Sequence, residues 1–363
     1  MYDLIVIGRG LSSLLFLKQY LDTHSDLKVL IIEKNKKIES RYISSWQGPG
    51  LLDLKKEYGI HAYKAYKKIS ISDKTISIKK NLLPYSYNTY DYKHVIETIF
   101  SSLKDRVEII YDQVISIKEM YNEVNVKTKK HNFQSQYLIS STSIGQQSVN
   151  NKKMLYQYFV GTEIQIKENH KHDTCQLMHF LQSNNEVLFN YNLPFDQKSI
   201  LIETTAFGKK VHFENLDKIH KKSLAVFNIA KIIKREKGII PMSVNHKFHR
   251  TARIINIGID GGFARPSSGY MLLRAAQWSK INKNINLKDL VFKEKKLINF
   301  LDKIFLKACY YYPGLANSIF IKLFNSNDIA SVIRFLADIP KLYDIVKILI
   351  NTPKKIMINA LIK

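Results

Sequence analysis

Two cysteines, Cys175 and Cys309, are all that the 363 residues contain. They stand far apart, with neither metal-ligand spacing nor a paired framework, so the chain is no disulfide scaffold and its thiols are expected to be reduced. No apolar run reaches the ~18 residues that a membrane-crossing helix requires. The sequence enters a strand-like run at Leu4 with neither a basic leader nor a cleavage site, so no signal peptide is expected. Internal repeats and low-complexity tracts are missing as well, and no grouping of residues suggests a metal site.

Acidic residues are scarce: 31 Asp and Glu face 56 Lys and Arg, giving a formal charge of +25 and a pI near 9.7. A basic surface attracts nucleic acid, acidic ligands or anionic lipid, and charge alone does not choose among them. The lysines are scattered among Ile and Asn, which reads first as compositional habit. A membrane surface is the second reading, because basic segments contribute about 1 kcal/mol per charge near anionic lipid. No helix-turn-helix or RNP stretch accompanies the charge, so nucleic acid is not an expected partner.

What is present is ordinary for a folded protein. Hydrophobic residues make up 45% and charged residues 24%. The length suits two domains of about 100–200 residues each.

Residues 3–8 (DLIVIG) form a near-continuous apolar run, as a strand buried on both faces of a parallel sheet does. Leucines at helical spacing follow over 11–21, and 27–32 reads as a second buried strand, which completes a βαβ unit. Farther on, 92–103 predicts an amphipathic helix, and 107–111, 114–118, 124–128 and 137–141 predict strands. The last of these runs into SSTSIG, at 140–145, a small polar turn suited to lie beneath a ligand.

Strands are predicted at 158–166, 187–191 and 199–204, with a helix over 216–234. Buried-strand composition returns at 253–259, a helix follows over 269–281, and 290–363 is mostly helical, broken near Pro313, Pro340 and Pro353. The expected architecture is α/β: a Rossmann-like dinucleotide domain from 1–150 and a return segment, 246–285, with a sheet-and-helix substrate domain, 151–245, inserted between them. A helical region, 286–363, completes the chain.

The first chemical motif is the turn Gly8-Arg-Gly10-Leu11-Ser-Ser13. Gly8 allows the tight turn, Gly10 lets a diphosphate approach the backbone at a helix N-terminus, and Ser13 is small enough for helix-on-strand packing. Glu33 closes the second strand, where a carboxylate accepts from a ribose hydroxyl and repels a 2′-phosphate, so FAD or NAD fits and NADP does not. The alternative is an ordinary strand-to-helix turn. A second segment, INIGIDGGFARPSSGY, holds Gly258, Gly261, Gly262, Pro266 and Gly269 before a helix. It either presents backbone amides to the electron-rich oxygens of a flavin and its ribityl chain or is a glycine-rich surface turn.

Between them lies Ser199-Ile-Leu-Ile-Glu203-Thr204-Thr205. Strand alternation sets Leu201, Glu203 and Thr205 on one face. Glu203 is therefore either a solvated edge carboxylate or an acid kept protonated by desolvation, the kind that can protonate a carbon-carbon double bond.

Taken together, YDLIVIGRGLSSLLF, VLIIEK, Trp46, QYFVGTEI, YNLPFDQKSILIETTAF, GIIPM and IGIDGGFARPSSGYMLLRAAQ resemble the flavin-dependent bacterial lycopene cyclases, in the family's order and over nearly the whole chain. The resemblance implies an isomerase that closes linear carotene ends into β-ionone rings without net redox change. It implies FAD, required in its reduced form, with NAD(P)H as electron donor. Glu203 falls on the family's acid-base carboxylate.

Trp46 in the SSWQGPG loop, Thr205 and Tyr270 are candidates for the polyene pocket. His179 stands in Met178-His179-Phe180, where relatives carry Met-Asp-Phe, which puts in doubt a relay that needs a second carboxylate. Lycopene lives in the bilayer, so a cytoplasmic protein docked peripherally on the inner face of the membrane is implied. The apolar stretches 345–350 and 356–362, flanked by lysines, either provide the interfacial helix or pack on the core. A flavin-dependent isoprenoid reductase or monooxygenase, and a non-catalytic carotenoid binder that retains FAD, are the competing readings.

Overall fold

Three sheets organise the residues described by the computed structural model, 1–142, 154–244, 248–293 and 295–363. The first runs in the order Glu108–Tyr111, Val29–Glu33, Tyr2–Ile7, Asn132–Ser140, Val124–Thr128, Val114–Glu119, with Ile254–Asn256 paired in parallel to the end of Asn132–Ser140. Tyr2–Ile7 lies parallel to both of its neighbours, which makes it a central strand. Leu4 and Val6 face one core and Ile5 and Ile7 another, so the continuous apolar run follows from burial on both sides. Helix Leu11–Leu21 packs beside helix Leu272–Asn282, where Phe16 meets Trp278. This is the Rossmann-like α/β unit.

The second sheet has the order Ile229–Met242, Leu155–Ile166, Ser199–Gly208, Val187–Pro194, Thr174–Leu181, Lys68–Ser72, Ser77–Asn81. Its last two strands come from the chain between the two halves of the first sheet, not from 151–245. A small third sheet, Tyr42–Gln47, Ser86–Asp91, Lys64–Tyr66, bridges the two larger ones.

One face of the second sheet carries helix Phe213–Leu224, and the cluster holding Leu177, Leu201 and Phe207 gathers residues of the C-terminal helices. Those helices are Lys296–Tyr311, Pro313–Asn325, Ile329–Leu336, Leu342–Asn351 and Lys354–Ile362. Pro313 opens its helix and Pro353 caps the last, positions where a missing amide hydrogen costs nothing. Among the described residues no helix is long and apolar enough to cross a membrane.

Several local expectations are corrected. The helix predicted over 216–234 ends at Leu224, and Ile229–Met242 is a 14-residue strand paired along Leu155–Ile166. Cross-strand pairing outweighs the local pattern there. Trp46 is in the strand Tyr42–Gln47 and not in a loop. The strand expected over 253–259 stops at Asn256 because Gly258 turns left-handed at φ 74°, and the helix expected from 269 starts at Leu272 because Gly269 does the same at φ 72°. The turn expected at 140–145 lies outside the described residues from 143 onward.

Candidate functional site

The first sheet brings the two glycine segments together, because Tyr2–Ile7, Asn132–Ser140 and Ile254–Asn256 end side by side. Gly8 has φ 91°, and a Cβ on it would stand 2.4 Å from Ser141 Oγ, so no larger residue fits that turn. Gly10 caps helix Leu11–Leu21, leaving the first amides of the helix free to meet an anion. Within that helix, the hydroxyl of Ser13 is buried without a hydrogen-bond partner among the described residues. Glu33 closes over the turn: Oε2 accepts from the Arg9 amide at 2.7 Å and Oε1 from the Asn35 amide at 2.9 Å.

In the second segment Gly258 packs against Ser12 of the first and against Ser141, which follows strand Asn132–Ser140, and a Cβ on Gly261 would come within 2.5 Å of the Asn256 carbonyl. Gly262, like Gly258 and Gly269, is left-handed, and Pro266 is buried. Arg265 anchors the loop from beneath. Its guanidinium is wholly buried, donates to Asp302 at 3.0 Å, pairs with Asp338 at 3.4 Å and lies over the Phe335 ring. Arg274 reaches Asp338 at 2.7 Å, so the second glycine segment and the C-terminal helices are tied by one buried ion network.

A cavity of about 970 Å³ opens between these elements. Its walls draw on Leu11 and the 37–41 loop beside the Gly8–Gly10 turn, on Gly269 and Tyr270, and on Phe305, Phe320, Phe324, Ile348 and Met357 of the C-terminal helices. Glu203 lines it from the middle of strand Ser199–Gly208. The Thr205 hydroxyl, two residues on and wholly buried, donates to Glu203 Oε1 at 2.7 Å. Burial pushes the Glu203 carboxyl up to about 8; the Thr205 hydroxyl opposes this and the Glu236 carboxylate adds to it. The raised value favours the protonated acid at neutral pH, facing a chamber whose walls are apolar toward the C-terminal helices and carry Arg41, Lys234 and Glu236 toward the opposite end.

Register sets what surrounds it. Tyr191 lies opposite Glu203 on one side and Gly161 on the other, and Gly161 in turn lies opposite Glu236. Tyr191, Glu203 and Glu236 all line the cavity. Hydroxyl contacts run from Ser44 to Tyr191 at 3.0 Å, Tyr191 to Tyr87 at 3.0 Å and Tyr87 to Tyr270 at 3.2 Å. Burial holds all three phenols well above their ordinary range, so they remain neutral donors.

The other candidates are placed as follows. Tyr270 lines the cavity, and Thr205 reaches Glu203 from beside it. Trp46 is 1% exposed and packs on Tyr87 with ring centroids 4.7 Å apart, in the wall behind the phenols; its indole N–H has no partner among the described residues. His179 does not reach the cavity lining; its Nδ1 contacts Ser72 Oγ at 2.9 Å, while the adjacent Met178 points inward. Behind Glu203, on the opposite sheet face, His220 sits between Thr162 and Thr204, and burial pulls it down to about 4. Sequence reasoning missed Gly161, Glu236, Tyr87, Tyr191 and Ser44. No alternation marks them in the sequence, since residues 234–240 line the cavity without a break, followed by Met242.

Solved structures share this architecture. A geranylgeranyl bacteriochlorophyll reductase-like protein from Thermoplasma acidophilum matches over 99% of this chain and 98% of its own, with TM-score 0.64 at 12% identity. A variant of the halogenase PltM in complex with FAD matches over 92% and 82%, with TM-score 0.59 at 11% identity, and a flavoprotein/dehydrogenase from Cytophaga hutchinsonii over 92% of each, with TM-score 0.58 at 13% identity. At such identities the likeness is one of fold. No curated protein matches the chain in sequence. The lycopene cyclase protein family model, however, matches residues 3–361, and the chain belongs to that family.

Proposed function

We propose that the protein is an FAD-dependent lycopene β-cyclase, an isomerase that closes linear carotene ends into β-ionone rings by acid-base chemistry. The observation that carries this reading is Glu203, a buried carboxyl with a raised pKa in a largely apolar cavity that the Gly269–Tyr270 turn also lines. The residues fit FAD: the Gly8 turn tolerates no side chain, Ser13 offers an unpaired buried hydroxyl, and Gly258 abuts the same turn. Gly8, Gly10, Leu11 and Ser13 would hold the diphosphate, Glu33 the ribose, and Gly258, Gly261, Gly262, Pro266 and Gly269 the flavin end. Reduced FAD, with NAD(P)H as donor, supplies an electron-rich surface that favours positive charge nearby.

The chain's own residues account for the proton. Glu203 donates it to the terminal double bond, leaving a tertiary cation that the neighbouring double bond attacks; transfer of a ring proton back to the Glu203 carboxylate completes the β end and restores the acid. The Thr205 hydroxyl is placed to bond the carboxylate that remains. The faces of Tyr87, Tyr191 and Tyr270 favour a cation within reach of them. Apolar walls from the C-terminal helices keep out the water that would trap it.

Peripheral docking on the inner face of the cytoplasmic membrane follows from a bilayer-borne substrate. Leu342, Tyr343, Ile350 and Ile362 are exposed on helices flanked by Lys341, Lys354, Lys355 and Lys363, which supports that reading.

Expression in lycopene-accumulating cells, followed by pigment chromatography and mass spectrometry, tests the proposal. Cyclised products of unchanged mass, formed without stoichiometric loss of reductant, are expected. The resemblance in fold to a reductase-like protein supports a second reading, isoprenoid reduction; a gain of two hydrogens coupled to reductant oxidation would establish it instead.

A further inference from the structure

Glycine is an odd residue for the middle of a long strand, where it weakens pairing and packs nothing. Gly161 stands inside Leu155–Ile166 between Glu203 on one neighbour and Glu236 on the other. A Cβ on Gly161 would lie 2.9 Å from Glu236 Cγ and 3.3 Å from its Oε1, so the Glu236 side chain already occupies that space, bent across the strand toward Glu203. Glu236 Oε2 is buried and accepts no hydrogen bond from the described residues, with the Lys234 ammonium 3.7 Å away.

We propose that Glu236 is a positioning residue for the acid: its carboxylate, laid over the bare backbone of Gly161, keeps the proton on Glu203 until the substrate accepts it. The inference rests on the cyclase reading for its purpose, but not for its geometry.

The surroundings of the two carboxyls decide which one carries the proton. Around Glu236 stand Lys234 of its own strand and Arg41 of the facing loop, and the Tyr42 backbone also favours its ionised form. Lys234 is shared with Glu163, which accepts from the Tyr42 hydroxyl at 3.2 Å. Glu203 faces the Tyr191 phenol and the Thr205 hydroxyl, with no cation in its hydrogen-bond shell among the described residues. Burial raises both groups, and with cations on the Glu236 side only, a single proton between the pair resides on Glu203. A second carboxylate, doubted from the sequence because His179 replaces an acid, is thus supplied by a different strand.

The test is infrared titration of the FAD-loaded protein, following the protonated-carboxyl band assigned to Glu203 by its loss in Glu203→Gln. In the wild type the band should fade with a midpoint near 8. Glu236→Gln keeps size and removes charge, so the midpoint should drop by about one pH unit. The alkaline limb of the turnover profile should move with it, losing about fivefold at pH 8 and recovering near pH 6. Should Glu236→Gln fail to fold, Glu236→Asp, which keeps the charge but is too short to lie over Gly161, should place the midpoint between those values. An unmoved midpoint in the folded variant overturns the proposal, whatever happens to turnover. A shifted midpoint in a protein that forms no cyclised product upholds the pair and removes the cyclase reading, so the two failures are distinct.

Discussion

Holding a carboxyl protonated at neutral pH has a thermodynamic cost that can be measured without any substrate. In an unfolded chain a glutamate titrates near 4.5, whereas burial carries Glu203 to about 8. Between those values the folded state binds the extra proton, so stability falls as pH rises. The contribution is fully present below about 4.5 and is lost once the pH passes about 8. Each pH unit in the window is worth about 1.4 kcal/mol. Across the window the folded protein would lose on the order of 5 kcal/mol, less whatever hydration the open cavity returns.

Glu203→Gln removes this dependence while retaining an oxygen for the Thr205 hydroxyl. The variant should be inactive yet more stable than the wild type at pH 8.5, and close to it at pH 5. Denaturant midpoints measured for both proteins at several pH values isolate the contribution of the Glu203–Glu236 pair, because groups outside the pair titrate equally in the two. Parallel stability profiles would refute the reasoning, since they would mean that Glu203 is already hydrated and ionised in the folded protein.

Three further outcomes are expected. Gly8→Ala sets a methyl where Ser141 Oγ stands, in a left-handed backbone; the purified variant should keep its circular dichroism but lose its flavin absorbance, and stoichiometric FAD would contradict the assignment of that turn. Arg265→Met leaves Asp302 and Asp338 buried without their shared cation, which should cost about 3–5 kcal/mol in denaturant unfolding. His179→Ala loses a contact with Ser72 and an electrostatic interaction with Asp73, both away from the cavity, and should keep turnover within about twofold in the lycopene conversion assay.

Local pattern carried the Rossmann-like half of the molecule into view. The strand at Tyr2–Ile7, the helix Leu11–Leu21 and the acid at Glu33 are fixed by burial on two faces, by leucine spacing and by turn chemistry, all of which act within about thirty residues. The second sheet was only half legible. Lys68–Ser72 and Ser77–Asn81 join it from the chain between the two halves of the first sheet, and Ile229–Met242 mixes lysines with isoleucines and is exposed along much of its length. Its identity as a strand comes from its partner, Leu155–Ile166, and not from its own composition.

The site divides along the same line. Glu203 and Thr205 share a face because they are two residues apart on one strand, a fact that the sequence carries. The row Tyr191, Glu203, Gly161, Glu236 crosses four strands, and its order depends on three registers at once. Moving any one register by a single residue would turn a member to the opposite face, where Thr204 and His220 already meet. The environment that makes Glu203 an acid is therefore a property of pairing. Substitutions that slip the Ile229–Met242 strand should alter its titration even when no cavity residue is touched.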